Sequence, residues 1–180
     1  MLVPLEGSHA EDLHVAAGTP DTFRYFSTRP DPFDASGMLA FIRFLKGPAE
    51  TTPWAVCTPE GAPVGITTLL DRRPVHQTVE IGWTWYSESV RGTLVNPASK
   101  LLLLTHAFGT LGAHRVTLKT DARNTRSRRA IEKLGAVFDG QLRENVLMPD
   151  GFRRSSVYYS VLAPEWPAVR AGLADRLGGV

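Results

Sequence analysis

The sequence is poor in cysteine. Cys57 is the single cysteine among 180 residues, which excludes an internal disulfide framework and is typical of a reducing compartment. No group of histidine, cysteine and aspartate residues has the spacing of metal ligands, so the sequence predicts no metal site. The chain also lacks an apolar run long enough to span a bilayer, and no charged and then apolar export signal follows Met1. We therefore expect a cytoplasmic protein with no membrane partner.

The remaining composition is typical of a globular domain. Hydrophobic residues make up 43% of the chain and charged residues 21%, and there is no internal repeat or low-complexity linker. A chain of this length can bury a sizeable core as one domain. We expect residues 1–180 to form a single domain, closed by a helix over about 164–177.

The charge of the chain is distributed unevenly. Residues 1–90 carry 6 Lys and Arg against 11 Asp and Glu, whereas residues 91–180 carry 14 against 7. The basic half is expected to face an anion. Its basic residues lie in and around one short helix, without the regular basic and aromatic alternation of single-strand binders. A small phosphorylated ligand therefore fits this pattern better than nucleic acid does.

The basic helix follows a predicted strand over 115–119. Asn124 is suited to cap its first turn, and Gly135 lies where a helix ends in a left-handed residue. Three arginines, Arg126, Arg128 and Arg129, follow the cap. Because backbone N–H groups, the helix dipole and guanidinium groups converge there, this helix start is predicted to form half of a cofactor site.

The segment 78–85 alternates most clearly as a strand. Its apolar residues Val79, Ile81, Trp83 and Trp85 are predicted to share one face, and Gly82 favours a bulge or a close ligand approach. Asn96 and Pro97 predict the start of the next helix. With two earlier helices, a run of strands and a closing hairpin, the sequence predicts an α+β fold with helices on both faces of a mixed sheet.

Three separated motifs resemble the GCN5-related N-acetyltransferases. They lie at 124–136, 80–83 and 91–97, in the order and spacing of that family. Within the family the chain is similar to the branch of ribosomal-protein N-terminal acetyltransferases, the RimJ/RimL type. The resemblance extends from about Leu2 to Pro167.

This resemblance implies a mostly antiparallel twisted sheet that is splayed between its fourth and fifth strands, here 78–86 and 115–120. It implies that acetyl-coenzyme A binds in the cleft as the acyl donor and that acetyl passes directly to a primary amine. A protein N-terminus, an amino acid, a polyamine and an antibiotic all remain open as acceptors. Dimerisation through the C-terminal tail or a sheet edge is also left open.

The family pattern implies three groups of cofactor-binding residues. Backbone of the fourth strand would pair with the pantetheine amides, the loop after it would hold the pyrophosphate, and the start of the basic helix would complete the site. These positions are Ile81, Gly82, Trp83, Arg91, Gly92, Thr93, Asn96, Asn124, Ser127 and Arg128. Asn124 has an alternative interpretation as a helix cap alone, and Gly82 and Gly92 have alternatives as ordinary strand and loop glycines.

The catalytic residues implied by the family are Glu80, as the base that accepts the amine proton, and Ser127, beside the leaving thiolate. A glutamate on the polar face of a strand is alternatively a solvated surface group, so Glu144 and His76 are kept as reserves. The chain departs from the family pattern at Ser89 and Leu94 of the phosphate loop and at Ile131, where many relatives have tyrosine.

These departures motivate one alternative. Leu94 would narrow the approach to the phosphates and Ile131 lacks an acidic proton. The rival hypothesis is therefore a non-catalytic acyl-coenzyme A binding or interaction domain on the same fold.

Overall fold

Residues 1–178, the part of the chain that this computed structural model describes, contain seven strands and five α-helices. The strands are β1 (Leu2–Pro4), β2 (Thr52–Cys57), β3 (Pro63–Arg73), β4 (Thr78–Tyr86), β5 (Arg115–Asp121), β6 (Val137–Leu147) and β7 (Arg153–Leu162). The helices are α1 (Ala10–Ala17), α2 (Ala35–Lys46), α3 (Val95–Thr105), α4 (Thr125–Leu134) and α5 (Trp166–Arg176).

The strands form one sheet in the order β1-β2-β3-β4-β5-β7-β6. Neighbouring strands run antiparallel except for β4 and β5, which are parallel. This arrangement confirms the predicted mixed, mostly antiparallel sheet.

Helices cover both faces of the sheet. Ala55 packs in a core with α1 and α2, whereas the preceding residue, Trp54, packs against a second core formed with α3, α4 and α5. Because successive side chains of a strand point to opposite faces, the two cores lie on opposite sides of the sheet. They are called the α1–α2 face and the α3–α5 face below.

The predicted signals at the basic helix are confirmed. Asn124 caps α4 by accepting a hydrogen bond from the Ser127 backbone N–H at 3.1 Å, and Gly135 ends the helix with a φ of 99°. The prediction for α3 is wrong in position. Its N-cap is Leu94, so Asn96 lies within the first turn instead of capping it.

No helix among residues 1–178 is both long and apolar enough to cross a membrane.

Candidate functional site

The cleft lies where β4 and β5 separate. Their pairing runs from Thr78 opposite Arg115 to Ile81 opposite Leu118 and then stops, although both strands continue. Beyond that point, no strand among residues 1–178 pairs with β4 on the side that faces β5. A cavity of about 390 Å³ opens between them and is bordered by α3 and α4. Unpaired strand edges present backbone donors and acceptors to this space, which is the environment that an amide-bearing chain requires.

A β-bulge shapes the β4 wall of the cleft. Thr67 of β3 lies opposite two residues of β4, Trp83 and Thr84, and Trp83 has a φ of 49°. The extra residue reverses which side chains point to which face of the sheet. Val79 and Ile81 therefore pack on the α3–α5 face, but Trp83 and Trp85 pack on the α1–α2 face. The prediction of a bulge is confirmed, and the prediction that these four residues share one face is wrong.

Gly82 precedes the bulge at a crowded position. A Cβ atom there would lie 2.9 Å from Leu70 Cδ2 and 3.0 Å from Glu80 Oε1. A larger residue here would therefore have to displace the ends of these two side chains. Ile81, Gly82 and Trp83 all line the cleft.

Glu80 is buried at the point where the two strands separate. Only 6% of the residue is exposed, and its Oε2 lies 3.1 Å from Lys119 Nζ. Burial raises the pKa of the Glu80 carboxyl above its usual value, and the Lys119 charge partly opposes that rise. The alternative interpretation of Glu80 as a solvated surface group is wrong. The reserves His76 and Glu144 are exposed and lie outside the cleft lining.

The start of α4 forms the opposite wall. Asn124 and Ser127 both line the cleft. The Asn124 side-chain oxygen is used by the helix cap, which leaves its amide N–H groups for a ligand. The capping interpretation of Asn124 is thus correct, and it does not exclude a contact through the amide.

Arg128 does not line the cleft. Its guanidinium group donates to Tyr159 Oη at 3.2 Å and to the Ala122 carbonyl at 3.4 Å. Arg126 lines the cleft instead. Residues i and i+2 of a helix point to different sides, so Arg126 and Arg128 cannot both face the cavity. The predicted contact of Arg128 with the cofactor stays a prediction that the cavity lining does not support, and Arg126 is the arginine that faces this space.

The loop between β4 and α3 borders the cleft mouth. Gly92, with a φ of 79°, and Arg91 line the cleft. Arg91 is held by the fold, because its Nε donates to the Tyr86 carbonyl at 3.0 Å and its Nη2 to Thr22 Oγ1 at 3.1 Å. Asn96 also lines the cleft, and its Oδ1 accepts a hydrogen bond from Tyr86 Oη at 3.1 Å.

Thr93 and Leu94 of this loop lie outside the cleft lining. The Thr93 hydroxyl donates to the Val90 carbonyl at 2.7 Å, so it braces the loop from within. Leu94 is 54% exposed. The Leu94 side chain therefore does not narrow the cavity itself, and the Thr93 side chain does not line it. The effect of Leu94 on the phosphates and the contact of Thr93 with the cofactor stay predictions.

Lys100 of α3 lines the cleft and was missed by the sequence reasoning. Its Nζ donates to Thr84 Oγ1 at 3.2 Å. Burial lowers the pKa of the Lys100 ammonium to about 7. A signal existed in the sequence: Lys100 stands three residues after Pro97 and four before Leu104, on the apolar side of the helix.

No group of three or more histidine, cysteine, aspartate or glutamate side chains within residues 1–178 could hold a metal ion.

A family model supports the interpretation of this cleft. The model of the acetyltransferase (GNAT) domain matches residues 1–137, which include β4, the loop after it and α4. In sequence, the chain is 30% identical over 107 residues to YdaF of Bacillus subtilis (strain 168), a provisionally assigned ribosomal N-acetyltransferase. That match covers 59% of this chain and 57% of YdaF, so the chain matches little more than half of this relative's length.

Solved structures have the same fold. A provisionally assigned acetyltransferase from T. thermophilus superimposes with a TM-score of 0.92 and 38% identity, over 98% of this chain and 92% of that one. Mycobacterium smegmatis RimJ, in complex with CoA-disulfide, superimposes with a TM-score of 0.80 over 98% of this chain and 88% of its own. At 20% identity, the likeness to RimJ concerns the fold alone.

Proposed function

We propose that this chain, which belongs to the GNAT acetyltransferase domain family, transfers an acetyl group from acetyl-coenzyme A to a primary amine. The observation that carries the proposal is the separation of β4 from β5 after Ile81 and Leu118, with a bulge directly beyond it. Members of this family bind acetyl-coenzyme A between two such strands. We treat residues 1–180 as one acetyltransferase domain with a cytoplasmic location.

The described residues fit the donor. The open edge of β4 around Ile81, Gly82 and Trp83 presents backbone groups that suit the amides of the pantetheine arm. Gly92 and the start of α4, with Arg126 beside it, suit the phosphates. The Asn124 amide supplies a further donor between these two regions.

The bound thioester supplies an activated acetyl group and a thiolate that leaves readily. The chain must then supply an acceptor for the proton of the attacking amine, because only the neutral amine is nucleophilic. Glu80 has this role in the proposal. Its buried carboxyl has a raised pKa, which brings its basicity closer to that needed near neutral pH. Ser127 lies on the opposite wall, where its hydroxyl would donate to the leaving sulfur.

A strong general acid is not required by this scheme. Ile131 lines the cleft where many relatives have tyrosine, but a thiolate needs little help to leave. Leu94 lies outside the cleft lining, so it leaves the cavity between β4 and β5 open to the donor. The acceptor we propose is a protein N-terminus, in keeping with the ribosomal N-acetyltransferase name of YdaF.

The test is an acceptor screen with acetyl-coenzyme A as donor. Peptides with free N-termini, single amino acids and polyamines are compared by release of free thiol and by the mass of the product. Wild type is expected to acetylate at least one peptide N-terminus, and Glu80→Gln to do so far more slowly. Absence of thiol release with every amine would refute the proposal in favour of the non-catalytic domain.

A further inference from the structure

Arg154 is a buried cation in the cleft that the scheme above does not use. It lies near the start of β7, is 8% exposed and lines the cavity. Its Nε and Nη2 donate to Ser156 Oγ at 3.2 and 3.1 Å, and its Nη1 donates to the Tyr25 carbonyl at 3.0 Å. A guanidinium group has five N–H bonds, so two of them remain for a ligand.

The charge of Arg154 has no partner of its own within residues 1–178. None of the ion pairs formed by the described residues includes it. Two carboxylates influence it from nearby, Glu80 and Asp121. Each is already paired, Glu80 with Lys119 at 3.1 Å and Asp121 with Arg123 at 2.7 Å.

Among these five groups, which are Glu80, Lys119, Asp121, Arg123 and Arg154, one positive charge is therefore in excess. A buried ion without a counter-ion is costly, because its hydration is lost and little replaces it. The hydroxyl and carbonyl oxygens that Arg154 contacts satisfy some of its N–H groups without neutralising it. A ligand carboxylate would provide both the missing charge and the missing acceptors.

Arg154 lies on the acceptor side of the cleft. Along β7, Val157 and Tyr159 pack in the core with α3–α5, so Ser156 and Arg154 point to the opposite face. Lys119 and Asp121 share that face, because β5 alternates in the same way and Asp121 pairs with Ser156. If the donor binds between α3 and α4, the amine must arrive from the face on which Arg154 lies.

The rim of this face is also cationic. Tyr25, whose carbonyl accepts from Arg154, lines the cleft, and the exposed Arg24 lies 5.8 Å from its ring. A chain that entered over Tyr25 would thus meet a second positive charge before reaching Arg154. This favours a peptide with an acidic segment over a single free amino acid.

We propose that Arg154 binds a side-chain carboxylate of the acceptor, and that the preferred acceptors are peptide N-termini with Asp or Glu directly after the acetylated residue. This proposal rests on the proposed function only for the direction in which the amine enters. The binding of an acidic peptide itself needs no turnover.

The test is calorimetric titration of the protein, saturated with coenzyme A, with two peptides that differ only in Glu or Gln at their second position. A charge-assisted hydrogen bond corresponds to at least about tenfold in affinity. The Glu peptide is therefore expected to bind at least about tenfold more tightly to wild type. Arg154→Gln, which keeps hydrogen-bonding capacity, is expected to remove the preference.

The matched control is Arg153→Gln, which removes an exposed arginine outside the cleft from the same strand. It should keep the preference for the Glu peptide. If Arg154 had a purely structural role, Arg154→Gln would bind both peptides more weakly by the same factor. That result would overturn the proposal.

The remaining outcomes separate this proposal from the enzyme itself. Equal binding of both peptides to wild type would overturn it even if both were acetylated. Preferential binding of the Glu peptide without any acetylation would support it while refuting the proposed function. Free glutamate that binds as tightly as the Glu peptide would overturn the assignment to a peptide.

Discussion

Glu80 Oε2 lies 3.1 Å from Lys119 Nζ, and this contact spans the two parallel strands where they part. Glu80 is still within the paired region, opposite Thr117, whereas Lys119 is one residue past the last pair. The ion pair thus holds the carboxylate at the apex of the cleft. Burial raises its pKa, and Lys119 limits how far that pKa rises.

Replacement of Glu80 by Gln is expected to lower kcat by roughly 10²–10⁴-fold, the usual contribution of a general base. In wild type, activity should fall as the pH drops through the pKa of Glu80, which lies above its ordinary 4.5. This fall of activity at low pH, the acidic limb of the profile, should be absent in Glu80→Gln. The measurement is kcat against pH, with Glu60→Gln in an exposed turn as the control. Unchanged activity in Glu80→Gln across the pH range would clear Glu80 of the role.

Replacement of Lys119 by Met tests the partner in the same way. Lys119 lowers the pKa of Glu80, so its removal should raise that pKa further. The acidic limb of the kcat profile is then expected to move to higher pH, while the activity on its alkaline side is retained. A limb that stays in place would show that the two groups are not coupled as the geometry indicates.

Lys100 gives a prediction about stability. Its pKa is about 7 in the folded protein against 10.5 for the ordinary side chain, so the unfolded chain binds more protons between these values. The free energy of unfolding of wild type should therefore rise with pH from about 7 to 10.5. Below this window, burial of the charged Lys100 lowers that free energy by an amount on the order of 5 kcal/mol.

The measurement is urea unfolding of wild type and Lys100→Met at pH 7 and pH 9. Lys100→Met is expected to have a higher free energy of unfolding than wild type at pH 7. This difference should be smaller at pH 9. A margin that does not depend on pH would contradict the assignment of a depressed pKa to Lys100.

Asn124 offers a separation of two roles. Asn124→Asp keeps the acceptor for the Ser127 N–H but removes the amide donor, and Asn124→Ala removes both. Ala should destabilise the protein by about 1 kcal/mol, and Asp should leave stability nearly unchanged. Both are expected to raise KM for acetyl-coenzyme A. An unchanged KM in Asn124→Asp would leave Asn124 with the capping role alone.

Local signals were sufficient to predict α4 and its ends. Asn124 caps the first turn through its own side chain, and Gly135 ends the helix through its own backbone conformation. Both ends of α4 can therefore be predicted from residue type and spacing alone. Asp150 and Gly151, a residue pair typical of hairpin turns, lie between β6 and β7 and are a further local signal of this kind. The order and spacing of the motifs around them indicated the family and the splayed sheet.

The bulge in β4 could not be located from alternation alone. The backbone of Trp83 is in the left-handed region. The centroid of its ring lies 5.6 Å from that of Phe26, 6.1 Å from that of Phe41 and 5.5 Å from that of Phe44. These rings come from distant parts of the chain, so tertiary packing determines where the strand reverses its faces. A period-two pattern across 78–85 contains no sign of it.

The directions of individual side chains also could not be predicted from the sequence. Arg126 and Arg128 both follow the Asn124 cap in the first turns of α4. The Arg128 side chain nevertheless donates to Tyr159 of β7 and lies outside the cleft lining. Lys100 and Arg154 are buried although charged residues are usually exposed, and only the assembled cleft reveals them.

The central claim is that acetyl-coenzyme A binds between β4 and β5. It is tested most directly by calorimetric titration of acetyl-coenzyme A into wild type, Gly82→Leu and Gly109→Leu. A side chain at Gly82 would crowd the ends of the Leu70 and Glu80 side chains in the cleft, whereas a Cβ at Gly109 meets nothing within 4 Å. We predict micromolar binding, about −8 kcal/mol, to wild type and Gly109→Leu, and none to a folded Gly82→Leu. No binding to wild type, or equal binding to all three proteins, would contradict the account.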